Sequence, residues 1–265
     1  MFDYHTHSDF SADCETPMEE TIREAIRLGL DEICFTEHID YDYPDTSIVF
    51  ELDLEDYDRK IAEMQYQYGE QLTIRKGVEI GIQPHQLERY NDLIEKEHFE
   101  FIICSMHTSD KKDLHSGAFF EGKTQEAAYQ KYYEELLYCV KHFKNFQVLG
   151  HLDLVKRYKR QESKKEFHDI IGEIFKEIIP AGKGIELNTS GKRYGMDSGM
   201  PSTDILKLYK ALGGEIITLG SDSHVETTLA YGFKEALELL QSLGYEYVST
   251  FENKRPVFHR IKTLL

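Results

Sequence analysis

The chain has no Cys-x-x-Cys pair; its four cysteines, Cys14, Cys34, Cys104 and Cys139, lie far apart. That excludes a thiolate metal site of the usual spacing and a disulfide framework, and leaves buried or incidental thiols. No apolar run approaches the roughly 20 residues that span a bilayer. The start is interrupted by His5, His7 and Asp9, where a secretory signal would need an apolar core. No membrane partner is expected, and the chain reads as cytoplasmic. Positive charge is in short supply, with 31 Lys and Arg against 48 Asp and Glu and a formal net charge of −17. A nucleic-acid backbone would be repelled by that field, so no nucleic-acid partner is expected. Small anionic substrates stay open, because bound cations invert the local charge. There is no low-complexity segment and no Pro-, Gly- or Ser-rich linker, so residues 1–265 read as one domain. With 40% hydrophobic residues that domain has the means to bury one large core.

What the chain does have is a repeated pattern. It opens on Tyr4-His5-Thr6-His7. In a strand over Phe2 to His7 the two histidines share a face, and two imidazoles on one face grip one ion. A helix follows from Pro17 to Leu28, with Thr16 as its N-cap, Pro17 at the first helical position and Gly29 as its stop. Further strand-like runs fall at 32–36, 72–80, 99–105, 146–149, 184–187 and 215–219. Helical patterns come after them at 54–68, 84–96, 125–143, 165–179, 202–212 and 226–240, and 245–251 reads as an irregular strand. Seven strand-then-helix units in a row make an α/β fold, a parallel sheet with helices outside. An open doubly wound sheet fits the alternation too. A closed barrel is preferred because nearly every strand ends in a polar residue, and in a barrel all those ends ring one mouth.

The strand-end residues are His5 and His7, His38, Glu79, His107, His151, Asn188, Asp222 and His224, with Asp13 in the loop after the first strand. Six of the twelve histidines fall at these positions. Any one alone reads as an ordinary hydrogen-bonded histidine, but random placement would scatter six over the helices. The others (His85, His98, His115, His142, His168, His259) lie on predicted helices, loops or the tail and read as bland. Six imidazoles with carboxylates exceed what one tetrahedral ion uses, so two or three divalent ions are implied. Nitrogen and oxygen donors without thiolate suit Zn, Mn or Fe. Two ions roughly 3.5–4 Å apart on a shared carboxylate suit hydrolysis of a phosphate ester.

These motifs resemble the polymerase-and-histidinol-phosphatase (PHP) family. The resemblance is carried by the His-x-His start, Thr36-Glu37-His38, Gly77-Val78-Glu79, Ser105-Met106-His107, Gly150-His151 and Gly220-Ser221-Asp222-Ser223-His224. It covers the whole chain in the family's order. Within the family the loop Asn188-Thr189-Ser190-Gly191…Arg193…Pro201-Ser202 is most similar to that of phosphatases acting on L-histidinol phosphate in histidine biosynthesis. The resemblance implies a distorted, TIM-like (β/α)7 barrel with a trinuclear metal centre at the C-terminal ends of the strands. It places His5, His7, Glu79 and Asp222 on a first ion. Glu79, as a bridge, with His107 and His151 would hold a second, and Asp13, His38 and His224 a third. Several relatives have a histidine at the position of Asp13.

The mechanism expected is attack on phosphorus by a metal-bridging hydroxide. Arg157 and Arg193 would clamp the phosphate, with Arg160 in reserve, because guanidinium pairs with phosphate bidentately. A metal-bound water or Asp222 would relay a proton to the leaving alkoxide. The acidic, aromatic loop Asp40 to Phe50 and the loop from His115 to Phe120 are the expected receivers of the organic half of the substrate. The competing readings are a phosphoesterase with another substrate (a sugar or nucleotide phosphate, or phosphotyrosine), a non-catalytic metal-binding module, and an amidohydrolase-like barrel. The last would want a carboxylated lysine where Glu79 stands. Tyr129, Tyr132, Tyr133 and Tyr138 read as core rather than as a subunit face.

Overall fold

The computed structural model describes residues 1–159 and 165–265. Among the described residues, seven parallel strands follow one another in sequence and in space, and a two-residue strand, His38–Ile39, pairs in parallel with the third of them. The seven are β1 (Phe2–Thr6), β2 (Glu32–Phe35), β3 (Thr73–Gly81), β4 (Phe101–Ser105), β5 (Val148–Leu149), β6 (Gly184–Asn188) and β7 (Ile217–Gly220). Outside them lie helices α1 (Met18–Leu28), α2 (Leu54–Tyr68), α3 (Leu87–Lys96), α4 (Gln125–His142), α5 (His168–Ile178), α6 (Thr203–Ala211) and α7 (Phe233–Ser242). The seam between β7 and β1 closes only at the top, where the Asp222 N–H donates to His5 O at 2.8 Å and the His7 N–H to Ser223 O at 2.9 Å. The expected barrel is therefore present and distorted, with two main-chain hydrogen bonds among the described residues, and one from the Ser221 N–H to Asp3 Oδ1, where a full ladder would otherwise run. No helix among the described residues is long and apolar enough to cross a membrane.

Helix ends follow local chemistry where the capping residue has no competing partner. Asp53 caps α2 by accepting the Asp56 N–H, and Thr124 caps α4 by accepting the Ala127 N–H. Thr16 does not cap α1. Its hydroxyl instead donates to His224 O at 3.0 Å, Pro17 takes the cap position, and the helix starts at Met18. The last helix begins at Phe233, not at residue 226, because Gly232 at φ 68° breaks the run and leaves Glu226–Thr228 as a separate 3-10 turn. Tyr129, Tyr132 and Tyr133 are core residues as expected, while Tyr138 is exposed.

The expected irregular strand near the C-terminus is half of a hairpin, β8 (Tyr247–Glu252) with β9 (Arg255–Arg260). Its two-residue turn, Asn253-Lys254, has positive φ at both positions, as tight hairpins of this twist require. Phe251 enters the bottom of the barrel, 5.0 Å from the ring of Phe101, and its N–H donates to Tyr4 Oη at 2.9 Å. With Cys34, Ile103 and Val148 these residues form the inner core. Tyr4 and His5 both face that interior because β1 carries one residue more than β2 between Asp3 and Thr6. A regular strand would send successive side chains to opposite faces, and a bulge re-aims one of them. Tyr4 fills the lower half and His5 the upper. Phe251→Ala is expected to cost about 3–5 kcal/mol in urea unfolding. A loss below about 1 kcal/mol would mean that the hairpin does not plug the barrel.

Candidate metal centre at the mouth of the barrel

Every strand-end residue singled out in the sequence lies at the upper end of the barrel, and Glu79 stands at the middle of the group. Its Oε2 is 3.0 Å from His5 Nε2, 3.6 Å from His7 Nε2 and 3.1 Å from His38 Nδ1. Its Oε1 is 2.9 Å from His151 Nε2 and 3.3 Å from His107 Nε2, and accepts from Ser105 Oγ at 2.5 Å. Asp222 Oδ1 lies 3.7 Å from both His5 Nε2 and His7 Nε2. The Nε2 atoms of His107 and His151 are 3.4 Å apart. Asp13 Oδ2 is 3.7 Å from His38 Nε2 and 3.4 Å from His224 Nε2. The ring of His7 stacks between those of His38 and His224, 4.2 Å from each.

These spacings suit cations. Ligand atoms about 2.0–2.1 Å from a tetrahedral ion stand about 3.3 Å from one another. His7 Nε2 and His38 Nδ1 are buried without a hydrogen-bond partner among the described residues, a costly state unless something else takes the lone pair. Four overlapping groups have the required convergence: His5–His7–Asp222, His5–Glu79–His151, His38–Glu79–His107 and His7–His38–His224. Electrostatics agree. Burial alone would raise the Glu79 carboxyl, but His5, His38 and His107 hold it well below the usual range. Burial is likewise outweighed at Asp222 by His5, His224 and His7. Burial and the neighbouring imidazoles of His224, His38 and His5 push His7 down, toward the neutral form that ligates metals.

Three buried carboxylates back the histidines from outside the group, and sequence reasoning gave them no such role. Asp40 Oδ2 accepts from His107 Nδ1 at 2.6 Å. Glu186 Oε1 accepts from His5 Nδ1 at 2.6 Å. Glu37 accepts from Ser11 Oγ at 2.5 Å, and that oxygen in turn accepts from His7 Nδ1 at 3.2 Å. Burial pushes the Glu37 carboxyl up to about 7 against its hydrogen bonds from Ser11 and Ser8. A signal was there for Glu186, a charged residue inside the apolar run Gly184-Ile185-Glu186-Leu187. Asp40 was hidden in an acidic loop.

The arginines separate. Arg157 lines the cavity over the centre, its guanidinium 3.1 Å from the centroid of the Tyr194 ring. Arg193 stands beside the mouth and donates to the carbonyls of Ser221 and Asp222, both at 2.8 Å. Those two contacts occupy one N–H on each terminal nitrogen and do not direct the fork into the cavity. Arg160 lies outside the described residues. Of the receiving loops, Tyr43, Ile48 and Phe50 line one wall and Asp113, Leu114 and His115 another, joined where Tyr43 Oη donates to Asp113 Oδ1 at 2.8 Å. His115, read as bland, is therefore part of the wall, while Phe119 and Phe120 are buried in the core.

Comparison with known proteins gives the centre a context. The PHP domain model matches residues 3–190, so Asp222 and His224 fall beyond the matched part. Histidinol-phosphatase of Lactococcus lactis subsp. lactis is 34% identical over 260 residues, covering 96% of this chain and 95% of the relative. A probable histidinol-phosphatase of Clostridium acetobutylicum is 29% identical, covering 97% and 96%. The crystal structure of the Lactococcus lactis histidinol phosphate phosphatase, complexed with zinc, L-histidinol and phosphate, superposes with a TM-score of 0.86 at 32% identity, covering 97% of this chain and 98% of that one.

Proposed function

Because the chain belongs to the PHP domain family, we propose that the donor cluster at its barrel mouth is the active centre of a metal-dependent phosphomonoesterase that hydrolyses L-histidinol phosphate to L-histidinol and phosphate. The observation that carries the reading is Glu79, one buried carboxylate in contact with five imidazoles. His5, His7, Glu79 and Asp222 would hold one divalent ion, Glu79, His107 and His151 a second, and Asp13, His38 and His224 a third, with Zn, Mn or Fe as candidates. Such ions supply a nucleophile at neutral pH and offset the charge of the phosphoryl oxygens.

The chain's own residues do the rest. Arg157 pairs with the phosphoryl oxygens, its guanidinium held in advance by the Tyr194 ring. Arg193, anchored on the Asp222 main chain, adds positive charge at the same edge. The Asp222 carboxylate lines the cavity and, as a relay, would accept the proton lost by the attacking water and pass it to the leaving alkoxide. Asp113, with Tyr43 and Phe50, gives the cationic and aromatic end of histidinol an acidic, aromatic wall. The four cysteines are buried and unpaired, as in proteins of reducing compartments, and we place the enzyme in the cytoplasm, in histidine biosynthesis.

The test is phosphate release from L-histidinol phosphate beside p-nitrophenyl phosphate, a phosphotyrosine peptide and a nucleotide, with Zn- or Mn-loaded protein and a chelated control. The expected result is a preference of roughly a hundredfold or more in kcat/KM for histidinol phosphate, lost on chelation. Equal slow rates on all four would discard the named substrate and keep the phosphatase. No turnover by fully loaded protein would discard the enzyme.

A further inference from the structure

Glu186 is a buried carboxyl-bearing residue at the centre of β6, flanked in sequence by the apolar Ile185 and Leu187. An ionised carboxylate in such a place is costly unless hydrogen bonds surround it. Here they do. Oε1 accepts from His5 Nδ1 at 2.6 Å, and Oε2 accepts the backbone N–H of His151 at 2.8 Å and Asn188 Nδ2 at 3.2 Å. The same Asn188 Nδ2 lies 3.3 Å from Asp222 Oδ2. One side chain thus touches the backs of residues from two different pockets, His5 of the first and His151 of the second. The space it needs is kept by Gly220, where a methyl group would overlap the Glu186 carboxylate and stand 2.5 Å from His5 Cβ.

We propose that Glu186 is a positioning residue that couples the first and second metal pockets. A histidine that gives its Nδ1–H to a carboxylate presents Nε2 as its lone-pair nitrogen. For His5 that nitrogen is the one facing Glu79 and Asp222. The other oxygen fixes the main chain at His151, whose Nε2 faces Glu79 from the opposite side. Neither task is separable from the other, because both use one carboxylate. Glu186→Gln is nearly the same size but has a single acceptor, so it sets a donor against the His5 Nδ1–H or the His151 N–H, and the side chain that moves to relieve that clash gives up the other contact as well. Glu186→Asp keeps two acceptors but draws both back by one methylene, away from His5 and from the His151 N–H.

This inference rests on the metal reading of the centre, and the experiment separates the two. Metal-free wild type, Glu186→Gln and Glu186→Asp are titrated with Zn against a chromophoric chelator, ions bound are counted, and melting of the metal-free proteins is recorded. The expected result is two weakened sites in each variant, by about 10–100-fold per site, beyond whatever the unmatched buried donor takes from metal-free melting. Wild type that binds no Zn overturns the metal reading and this inference with it. Wild-type affinities in the variants, or a loss confined to one site, overturn the coupling and leave the metal reading standing. A lowered metal-free melting temperature with unchanged affinities assigns Glu186 a purely structural role and also overturns the coupling. If the variants do not fold, Zn-loaded wild type decides by long-range proton–nitrogen NMR. His5 must show a protonated Nδ1 and a metallated Nε2, and the reverse assignment overturns the proposal.

Discussion

Glu79→Gln is expected to lower kcat for L-histidinol phosphate by at least about 100-fold and to leave the purified protein short of two ions. Both carboxylate oxygens are in use, Oε2 toward His5, His7 and His38 and Oε1 toward His107 and His151. An amide keeps the contact with Ser105 through its oxygen but turns an NH2 group toward imidazole nitrogens. It also removes the negative charge at the centre of the cluster. The imidazoles hold the Glu79 carboxyl well below its ordinary range against the effect of burial, so the ionised form persists throughout neutral pH and the amide never imitates it. Elemental analysis alongside steady-state kinetics checks this. A variant that keeps more than about a tenth of wild-type kcat with a full complement of ions would show that Glu79 does not bridge.

Gly220→Ala is the second change with a large expected effect, although it adds one carbon. The new methyl group overlaps a Glu186 carboxylate oxygen and comes within 2.5 Å of His5 Cβ, and both side chains are fully buried. Overpacking of this kind costs about 1–3 kcal/mol. A shift of His5 by about 1 Å is enough to lower activity about 10²-fold. Gly172→Ala is the contrast. It lies inside α5, its nearest neighbour would be Leu212 Cδ1 at 3.9 Å, and a methyl there is expected to stabilise by roughly 0.5–1 kcal/mol. Urea unfolding and kcat for the pair read out both signs. Gly220→Ala with wild-type activity would show that the layer beneath His5 is not close-packed.

The order of strands and helices was legible because apolar runs alternate with helical periods and glycines close several of the helices. Ligand candidates were legible for the same reason: an apolar strand that stops on His, Asp or Glu announces a polar mouth. What sequence could not carry was partnership. Thr16 looks like a cap until the structure gives its hydroxyl to His224 O. Arg193 looks like a phosphate ligand until its fork is found on two carbonyls. Asp40 and Glu186 are ordinary acidic residues in one dimension, and only the fold sets them behind His107 and His5. The hairpin was read as one strand because Asn253-Lys254 lacks the glycine that usually marks so tight a turn.

The seam that closes the barrel also sets a timetable for the centre. β1 and β7 meet through main-chain bonds at His5, His7, Asp222 and Ser223, and Asp3 takes the Ser221 N–H across 218 residues of chain. His5 and His7 leave the ribosome long before Asp222, the carboxylate proposed to complete their pocket. A growing chain therefore carries half of the proposed site until Asp222 is made. A product that stops before residue 222 never gains the other half. On the proposed assignment, the pocket of His5, His7 and Asp222 is complete only once β1 and β7 have met, so loading would follow closure of the barrel.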